Sequence, residues 1–306
     1  MHTTTGRWKL GFALALVTAL SWGVLPLALQ ITLHSLDPYT ITWYRFAVSA
    51  LVLLIILAAR KSLPALSTLS KRGWLLLAVA LSGLATNYVL NLVGLEHASP
   101  TVVQTLIQLG PMFFLLGALV VFKENFSRIQ WAGFVLLILG LLLFFNHRLP
   151  ELGSLSSDIG LGTAIIVMAA MAWAIYALAQ KALLRNLAPQ QILLLIYLGS
   201  VVLLWPASSL GEVRQANSLE LSMLAFSCLN TLVAYGAFAE ALRHWQASRI
   251  GAVLAITPLI TLSTMWLAEH FLPGLVAPEG LNALSVCGAL LVVGGSALSA
   301  LGRSGP

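Results

Sequence analysis

Apolar runs of about 20 residues recur along almost the whole chain, and this feature restricts the fold more than any other. As an α-helix, such a run spans the hydrocarbon core of a bilayer. The composition agrees, because 59% of the 306 residues are apolar, only 8% are charged, and the mean hydropathy is +0.94. So few charges cannot cover a water-facing surface on a chain of this length. The sequence therefore predicts an all-α polytopic membrane protein.

Runs of roughly 18 or more mostly apolar residues predict ten transmembrane helices. The predicted spans are Leu10–Leu33, Thr40–Ala59, Trp74–Val93, Thr101–Phe122, Ile129–Asn146, Gly160–Leu183, Gln191–Ala207, Leu219–Leu242, Ser248–Ala268 and Leu281–Leu301. The first apolar run follows two basic residues, Arg7 and Lys9, as the apolar region of a signal peptide does. It is longer than the apolar region of a signal peptide and lacks a persuasive cleavage site, so we interpret it as a mature span.

Basic residues between the spans are distributed unevenly, and this predicts the orientation. The two tails and the even-numbered connections hold Arg7, Lys9, Arg60, Lys61, Lys71, Arg72, Lys123, Arg128, Lys181, Arg185, Arg243, Arg249 and Arg303. Only Arg148 and Arg214 lie on the other side. Because short loops rich in Lys and Arg stay in the cytoplasm, both termini are predicted to be cytoplasmic, in a cytoplasmic (inner) membrane.

Several functional classes find no support in the sequence. Basic residues are scattered rather than clustered, so the pI of about 9.6 does not indicate a nucleic-acid partner. Cys228 and Cys287 lie inside apolar runs, and His97 and His244 have no metal-binding cluster beside them, so no metal or cofactor is predicted. The motifs of P-loop ATPases, zinc proteases and serine hydrolases are absent, so we expect neither ATP hydrolysis nor another enzymatic activity.

The second half of the chain repeats the first. The matches are Trp22 with Trp173 and Pro38 with Pro189 at a shift of 151 residues, then Tyr88 with Tyr235, His97 with His244 and Pro111 with Pro258 at 147. Two domains follow, residues 1–150 with spans 1 to 5 and residues 151–306 with spans 6 to 10. Because five is odd, the halves are predicted to have inverted topologies, as in secondary transporters, with the substrate between them.

Short motifs occur in the same order in both halves. They are Ser21-Trp22-Gly23, Pro38 to Arg45-Phe46, Pro111 followed by Glu124, Ala172-Trp173-Ala174 and Leu187-Ala188-Pro189. Together they resemble the drug/metabolite transporter superfamily, specifically its ten-helix EamA-type members, over nearly the whole chain. The resemblance implies two EamA repeats, a central cavity walled mainly by spans 1 to 4 and 6 to 9, and export or exchange of small metabolites, amino acids among them.

Polar residues inside spans are candidate site residues, because the bilayer penalises them unless they face protein or water. Asn87 and Asn91 in span 3 lie roughly 10 and 5 Å below the outer face, and Gln108 and Gln104 in span 4 lie at similar depths. Each pair is spaced i, i+4 and shares one helix face. These four amides either line a substrate cavity or bond to one another as an interhelical clamp.

Aromatic residues inside the spans form a second candidate set. Trp22, Trp173, Tyr176 and Tyr235 either wall a cavity for the apolar part of a substrate or pack structurally. Asn230, near the middle of span 8, is a secondary substrate-binding candidate that needs a hydrogen-bond partner.

Arg45 is the only basic residue well inside a span. Its long side chain either reaches the headgroup region or a structural partner, or it binds a substrate carboxylate. Glu240, near the cytoplasmic end of span 8, is expected to form a solvated pair with Arg243 or His244 one turn on.

Prolines near the middle of spans 4 and 9 are candidate hinges. Pro111 and Pro258 each deprive the carbonyl four residues earlier, at Ile107 and Leu254, of its helical donor. Each proline therefore predicts a kink, which serves either as a gating bend or as a passive irregularity.

A secondary transporter that exports or exchanges a small metabolite, such as an amino acid, by alternating access fits these features best. The alternatives are an exporter of nucleosides, vitamins or drugs and, in another class, a membrane scaffold without flux. The expected partners are a small-molecule substrate and the lipid bilayer, and a monomer and a homodimer are both compatible.

The predicted orientation can be tested by labelling single cysteines with a membrane-impermeant thiol reagent in intact cells, in a variant lacking Cys228 and Cys287. Glu151→Cys and Glu212→Cys should be labelled because they face outward, whereas Lys71→Cys should be labelled only after the cells are opened. Labelling of Lys71→Cys in intact cells would reverse the orientation.

Overall fold

A computed structural model of the chain describes residues 7–65, 69–121, 127–146, 157–245, 247–272, 274, 276 and 281–301. Its helices are α1 (Trp8–Thr32), α2 (Pro38–Ala59), α3 (Lys71–His97), α4 (Pro100–Leu106), α5 (Leu109–Val121), α6 (Arg128–Phe144), α7 (Asp158–Leu183), α8 (Pro189–Leu204), α9 (Ser218–His244), α10 (Ala247–Leu254), α11 (Thr257–Phe271) and α12 (Ala283–Leu301). Two short 3₁₀ helices, Trp205–Ala207 and Leu210–Arg214, follow α8.

The predicted all-α polytopic membrane fold is confirmed. Within the described ranges, nine segments are long and apolar enough to cross a membrane. Two of them are interrupted: Pro100–Val121 consists of α4 and α5, and Arg249–Phe271 consists mostly of residues from α10 and α11. The one remaining predicted span, Ile129–Asn146, corresponds to α6, an apolar helix of 17 residues. At about 1.5 Å per residue it is roughly 25 Å long, near the short end of the range for a spanning helix.

Polar capping residues determine where several helices begin. Asp37 accepts hydrogen bonds from the backbone N–H groups of Tyr39 and Thr40 at the start of α2, where Pro38 occupies the first turn. A proline suits this position because its missing N–H would have no helical partner anyway. Ser99 and Pro100 open α4 in the same way. These signals explain why helix starts could be located from the sequence to within a few residues.

The helices of one half pack mainly against helices of the other. The main pairs are α3 with α7, α1 with α9, α2 with α8, and α6 with α12. Exchanging the two halves turns the α3 and α7 pair into the α9 and α1 pair, whereas the other two pairs map onto themselves. The arrangement of contacts therefore has the same internal repeat as the sequence.

Glycines allow α6 and α12 to approach closely. A methyl group added to Gly295 would lie 2.5 Å from the backbone nitrogen of Leu137 and 2.6 Å from the carbonyl oxygen of Gly133. Gly140 and Gly288 face each other in a similar way farther along the pair. The seven-residue glycine spacing therefore serves helix packing, as small residues commonly do in membranes.

Serines reinforce this packing with hydrogen bonds. The Ser285 hydroxyl donates to the Phe144 carbonyl at 2.9 Å, and the Ser299 hydroxyl donates to the Gln130 carbonyl at 3.3 Å. The two bonds lie at opposite ends of the helix pair and join the halves at both ends of spans 5 and 10.

Gly295→Ala should lower the melting temperature of the purified protein, because the new methyl meets backbone atoms that cannot move independently. Overpacking of this kind costs about 1 to 3 kcal/mol. Gly294→Ala is a matched control, since its methyl would meet only a side-chain carbon of Leu136 at 3.7 Å. Alanine there should leave stability unchanged or raise it slightly. Equal melting temperatures for the two variants would contradict the close approach.

Candidate functional site

In the first half of the chain, the helix of the fourth span is interrupted near its middle. Ile107 and Gln108 separate α4 from α5, and Pro111 is the third residue of α5. Since Pro111 has no N–H to offer, the Ile107 carbonyl instead accepts a hydrogen bond from the Gly110 N–H at 2.9 Å. The kink predicted at this proline is a full interruption of the helix.

The ninth span breaks at the matching place in the second half. Ala255 and Ile256 separate α10 from α11, and Pro258 is the second residue of α11. The Leu254 carbonyl, which lacks its helical donor, accepts a hydrogen bond from the Thr257 hydroxyl. Both freed carbonyls therefore find local partners, and both halves carry the same irregularity.

The two breaks lie against each other. The Gln108 side-chain amide donates to the Ala255 carbonyl at 3.1 Å, and Gln108 is buried. The two residues are 147 positions apart, which is the shift that relates these parts of the repeat. The hydrogen bond therefore joins the break in the fourth span to the break in the ninth.

Asn87 also joins the halves through the backbone. Its amide donates to the Ala169 carbonyl on α7 at 2.9 Å. Neither Asn87 nor Gln108 bonds to another of the four predicted amides, so the interhelical clamp in its predicted form is wrong for these two. Asn91 and Gln104 are half-buried and have no hydrogen bond within the described part of the chain. They retain free donors and acceptors, whereas Asn87 and Gln108 use their donors in packing.

The predicted aromatic residues gather around one core. Tyr176 is buried in it together with Tyr88, and Trp173 and Tyr235 pack against its edge. The Trp22 ring meets the Tyr235 ring edge to face, with centroids 5.5 Å apart. Trp22 therefore contacts this group through Tyr235, and Trp173 packs against the same core.

Phe46, Tyr88 and Tyr197 were not identified as site residues from the sequence. Tyr88 donates a hydrogen bond from its hydroxyl to that of Tyr235 at 3.3 Å. Phe46 stacks on Tyr197 with ring centroids 5.2 Å apart. Both pairs are repeat equivalents, at shifts of 147 and 151 residues. The sequence repeat matched Tyr88 with Tyr235, and a search for aromatic matches at a shift of 151 would also have found Phe46 with Tyr197. We call these four residues the central aromatic cluster.

Asn230 obtains only part of the hydrogen bonding that it needs. Its amide nitrogen donates to the Ser21 carbonyl at 2.7 Å, next to Trp22. Its side-chain oxygen is buried and accepts no hydrogen bond within the described residues. A buried acceptor without a donor is costly, which makes this oxygen available to a solute or water.

Arg45 points inward instead of toward a membrane surface. The side chain is only 5% exposed, donates from Nε to the Thr231 hydroxyl at 3.3 Å, and places its guanidinium carbon 4.6 Å from the centre of the Tyr88 ring. The prediction that Arg45 reaches the headgroup region is therefore wrong, whereas a structural contact is present. Arg45 lies beside the central aromatic cluster.

Ionisable groups at the helix ends pair locally. His97 on α3 lies 3.6 Å from Asp158 on α7, and Glu240 lies 3.1 Å from His244 on α9. No group of three His, Cys, Asp or Glu that could hold a metal occurs among the described residues.

The comparisons with known proteins agree with this architecture. The family model described as "EamA-like transporter family" matches residues 9–146 and 160–301. The chain belongs to the EamA-like transporter family. The predicted membership of the drug/metabolite transporter superfamily is confirmed, and the protein is a multi-pass membrane transporter.

Relatives of this EamA-like transporter cover nearly all of it. An "Uncharacterized inner membrane transporter YhbE" of Escherichia coli (strain K12) is 40% identical over 96% of this chain and 92% of its own. An "Uncharacterized transporter" of Haemophilus influenzae is 38% identical over 96% and 95%. A "Probable amino-acid metabolite efflux pump" of Salmonella typhimurium is 23% identical over 96% and 95%. A crystal structure with 18% identity, covering 96% of this chain and 97% of that one, has the same fold with a TM-score of 0.65.

Asn87→Ala and Gln108→Ala should each lower the free energy of unfolding in detergent, by about 0.6 to 1.5 kcal/mol, because each removes one hydrogen bond between the halves. The two losses should add within about 0.5 kcal/mol, since the amides bond to separate carbonyls. Asn91→Ala is the matched control on the same face of α3 and should leave stability nearly unchanged. A double variant that loses less than the sum would show that the two amides interact.

Proposed function

We propose that this transporter exports or exchanges a small metabolite, such as an amino acid, as a secondary carrier that alternates access to a site between its halves. The observation that supports this most is the hydrogen bond from Gln108 to Ala255, which joins the breaks of two interrupted helices, one from each half. Discontinuous helices that meet at a repeat interface are typical of substrate sites in secondary transporters.

Residues 1–150 and 151–306 would then be two repeats of inverted topology. Three contacts between repeat equivalents support this proposal: Gln108 with Ala255, Tyr88 with Tyr235, and Phe46 with Tyr197. The exchange symmetry of the helix pairs supports it as well. The family model matches once in each half, at residues 9–146 and at residues 160–301, which agrees with this division of the chain.

The proposed substrate site uses the candidate residues in different ways. The donor groups of Asn91 and Gln104 and the side-chain oxygen of Asn230 are available to polar parts of a solute. Trp22, Trp173, Tyr176 and Tyr235 would contact its apolar part, since aromatic faces favour such groups. Asn87 and Gln108 would position the helices around the site. The name of the Salmonella relative adds support for an amino acid as the solute.

The breaks supply a physical means of alternating access. A continuous helix resists bending, whereas a span interrupted by two residues bends at the interruption. If α4 swings relative to α5 while α10 swings relative to α11, the site opens first to one side and then to the other. The bond from Gln108 to Ala255 would link the two motions because it joins one break to the other.

The uneven distribution of charge supports an orientation with both termini in the cytoplasm. Arg60 caps the end of α2 and Lys71 begins α3, so both lie at the membrane face from which α1 enters. The relative from Escherichia coli is named an inner membrane transporter, which fits the proposed location.

A counterflow assay in proteoliposomes tests the proposal. Vesicles preloaded with unlabelled amino acids should accumulate the labelled amino acid without an imposed pH gradient. Pro111→Ala and Pro258→Ala should each lower the turnover rate more than they raise the half-saturating substrate concentration. Alanine restores the backbone N–H donor and so makes the interrupted span more rigid.

Pro26→Ala is the matched control for these variants. Pro26 lies inside α1, which remains continuous through it, so its replacement should not affect turnover in the same way. Unchanged turnover in both Pro111→Ala and Pro258→Ala would show that the helix breaks take no part in the transport cycle. Vesicles without flux of amino acids, nucleosides, vitamins or drugs would contradict transport by this chain alone.

A further inference from the structure

We propose that Arg45 binds the carboxylate of the transported solute, so that the substrate is a small amphipathic monocarboxylate. This inference rests on the proposed function for the claim that the bound molecule is transported. The binding site itself follows from the environment of Arg45.

Arg45 is a buried cation whose hydrogen bonding is incomplete. A guanidinium carries five N–H donors, yet the described part of the chain gives Arg45 one hydrogen bond, from Nε to the Thr231 hydroxyl. No acidic side chain among the described residues lies within ion-pair distance of it. A charge inside a membrane protein is costly unless an opposite charge or water meets it. The structure thus leaves guanidinium N–H donors at this position that an anion would satisfy.

The geometry of Arg45 suits a carboxylate. The guanidinium carbon lies 4.6 Å from the centre of the Tyr88 ring, which places the ring against the cation. Such a contact satisfies part of the positive charge but uses none of the remaining N–H donors. Terminal guanidinium N–H groups form paired hydrogen bonds to the two oxygens of a carboxylate.

Arg45 has no counterpart in the second half. The shift of 151 residues that matches Phe46 with Tyr197 matches Arg45 with Ile196, which is fully buried. A single positive charge therefore lies next to residues that touch across the centre of the repeat. One monoanion would balance this charge, whereas a phosphate dianion would leave a negative charge without a partner.

A second buried group beside Arg45 also lacks a partner. The Tyr197 side chain is 1% exposed, and its hydroxyl has no hydrogen bond within the described residues. The Tyr197 ring stacks on that of Phe46, the residue next to Arg45 in the chain, with ring centroids 5.2 Å apart. A phenol hydroxyl donates readily to a carboxylate, so Arg45 and Tyr197 together offer donors to one anion.

The central aromatic cluster explains the amphipathic part of the proposal. Phe46, Tyr88 and Tyr197 form a continuous apolar surface, with Phe46 and Tyr88 ring centroids 4.7 Å apart. An anion held at Arg45 would have its hydrocarbon part against these rings. Small inorganic anions would lack this contact and bind more weakly.

Thermal unfolding of the purified full-length protein in detergent tests the site with matched probes. 4-Methylpentanoate and 3-phenylpropanoate should raise the melting temperature of the wild-type protein, whereas the corresponding neutral amides and phenyl phosphate should have little effect. Arg45→Gln should weaken carboxylate binding at least tenfold. Arg45→Lys keeps the charge but loses paired hydrogen bonding, and should also weaken it about tenfold. Arg60→Gln, an exposed arginine at the end of the same helix, is the control and should bind as the wild type does.

Tyr197→Phe keeps the proposal testable if Arg45→Gln does not fold. Its hydroxyl has no partner to lose, so the variant should be as stable as the wild type yet bind the carboxylates at least threefold more weakly. Equal stabilisation by carboxylates and amides would overturn the proposal. Wild-type affinity in the folded Arg45 variants or in Tyr197→Phe would do the same, as would no stabilisation by either carboxylate.

The counterflow assay separates this inference from the proposed function. Carboxylate binding that depends on Arg45, without flux, would keep the anion site and reject transport. Flux of nucleosides or other neutral solutes, with no carboxylate binding, would keep transport and reject the anion site.

Discussion

Packing between the two halves is the interaction on which the rest of the structure depends. Inside a bilayer the hydrophobic effect does not press helices together, because lipid tails are as apolar as the side chains they would replace. Close approach and hydrogen bonds must therefore hold the helices in place. Glycines bring α6 and α12 together, with Gly133 facing Gly295, and the Asn87 amide joins α3 to α7. Because these contacts cross from one half to the other, any site at the centre is built by both.

Polar groups inside the membrane also need hydrogen-bond partners within the protein, and most of those at the helix breaks have one. The carbonyls freed at the two helix breaks accept hydrogen bonds from Gly110 and Thr257, and the Ala255 carbonyl in the second break accepts one from Gln108. Buried polar groups that lack a hydrogen-bond partner are therefore the exceptions. In our proposal, Arg45 and the Tyr197 hydroxyl, which lie at the central aromatic cluster, are the groups that a solute would satisfy.

Much of the candidate site could be predicted from the sequence, but the roles of its residues could not. Polar residues in apolar spans stand out individually, so Asn87, Gln108 and Asn230 were identified by type and depth. Their partners depend on which helices become neighbours. Asn87 and Gln108 bond to backbone carbonyls, which no residue pattern reveals. Arg45 was recognised as unusual, yet the direction of its side chain depends on Tyr88 and Thr231, which lie on other helices.

The sequence by itself determined the membrane class, the ten spans, the approximate helix ends and the repeat of the first half in the second. These properties are local or periodic: the bilayer sets the length of each apolar run, capping residues such as Asp37 begin helices, and Pro111 and Pro258 interrupt them. Only the tertiary structure decided which face of each helix turns inward. The spans are apolar on nearly every side, with large residues such as Leu51 and Ile55 exposed, so hydrophobic periodicity does not distinguish the buried face. Contacts between distant helices make that choice, and they place Arg45 against Tyr88 at the centre.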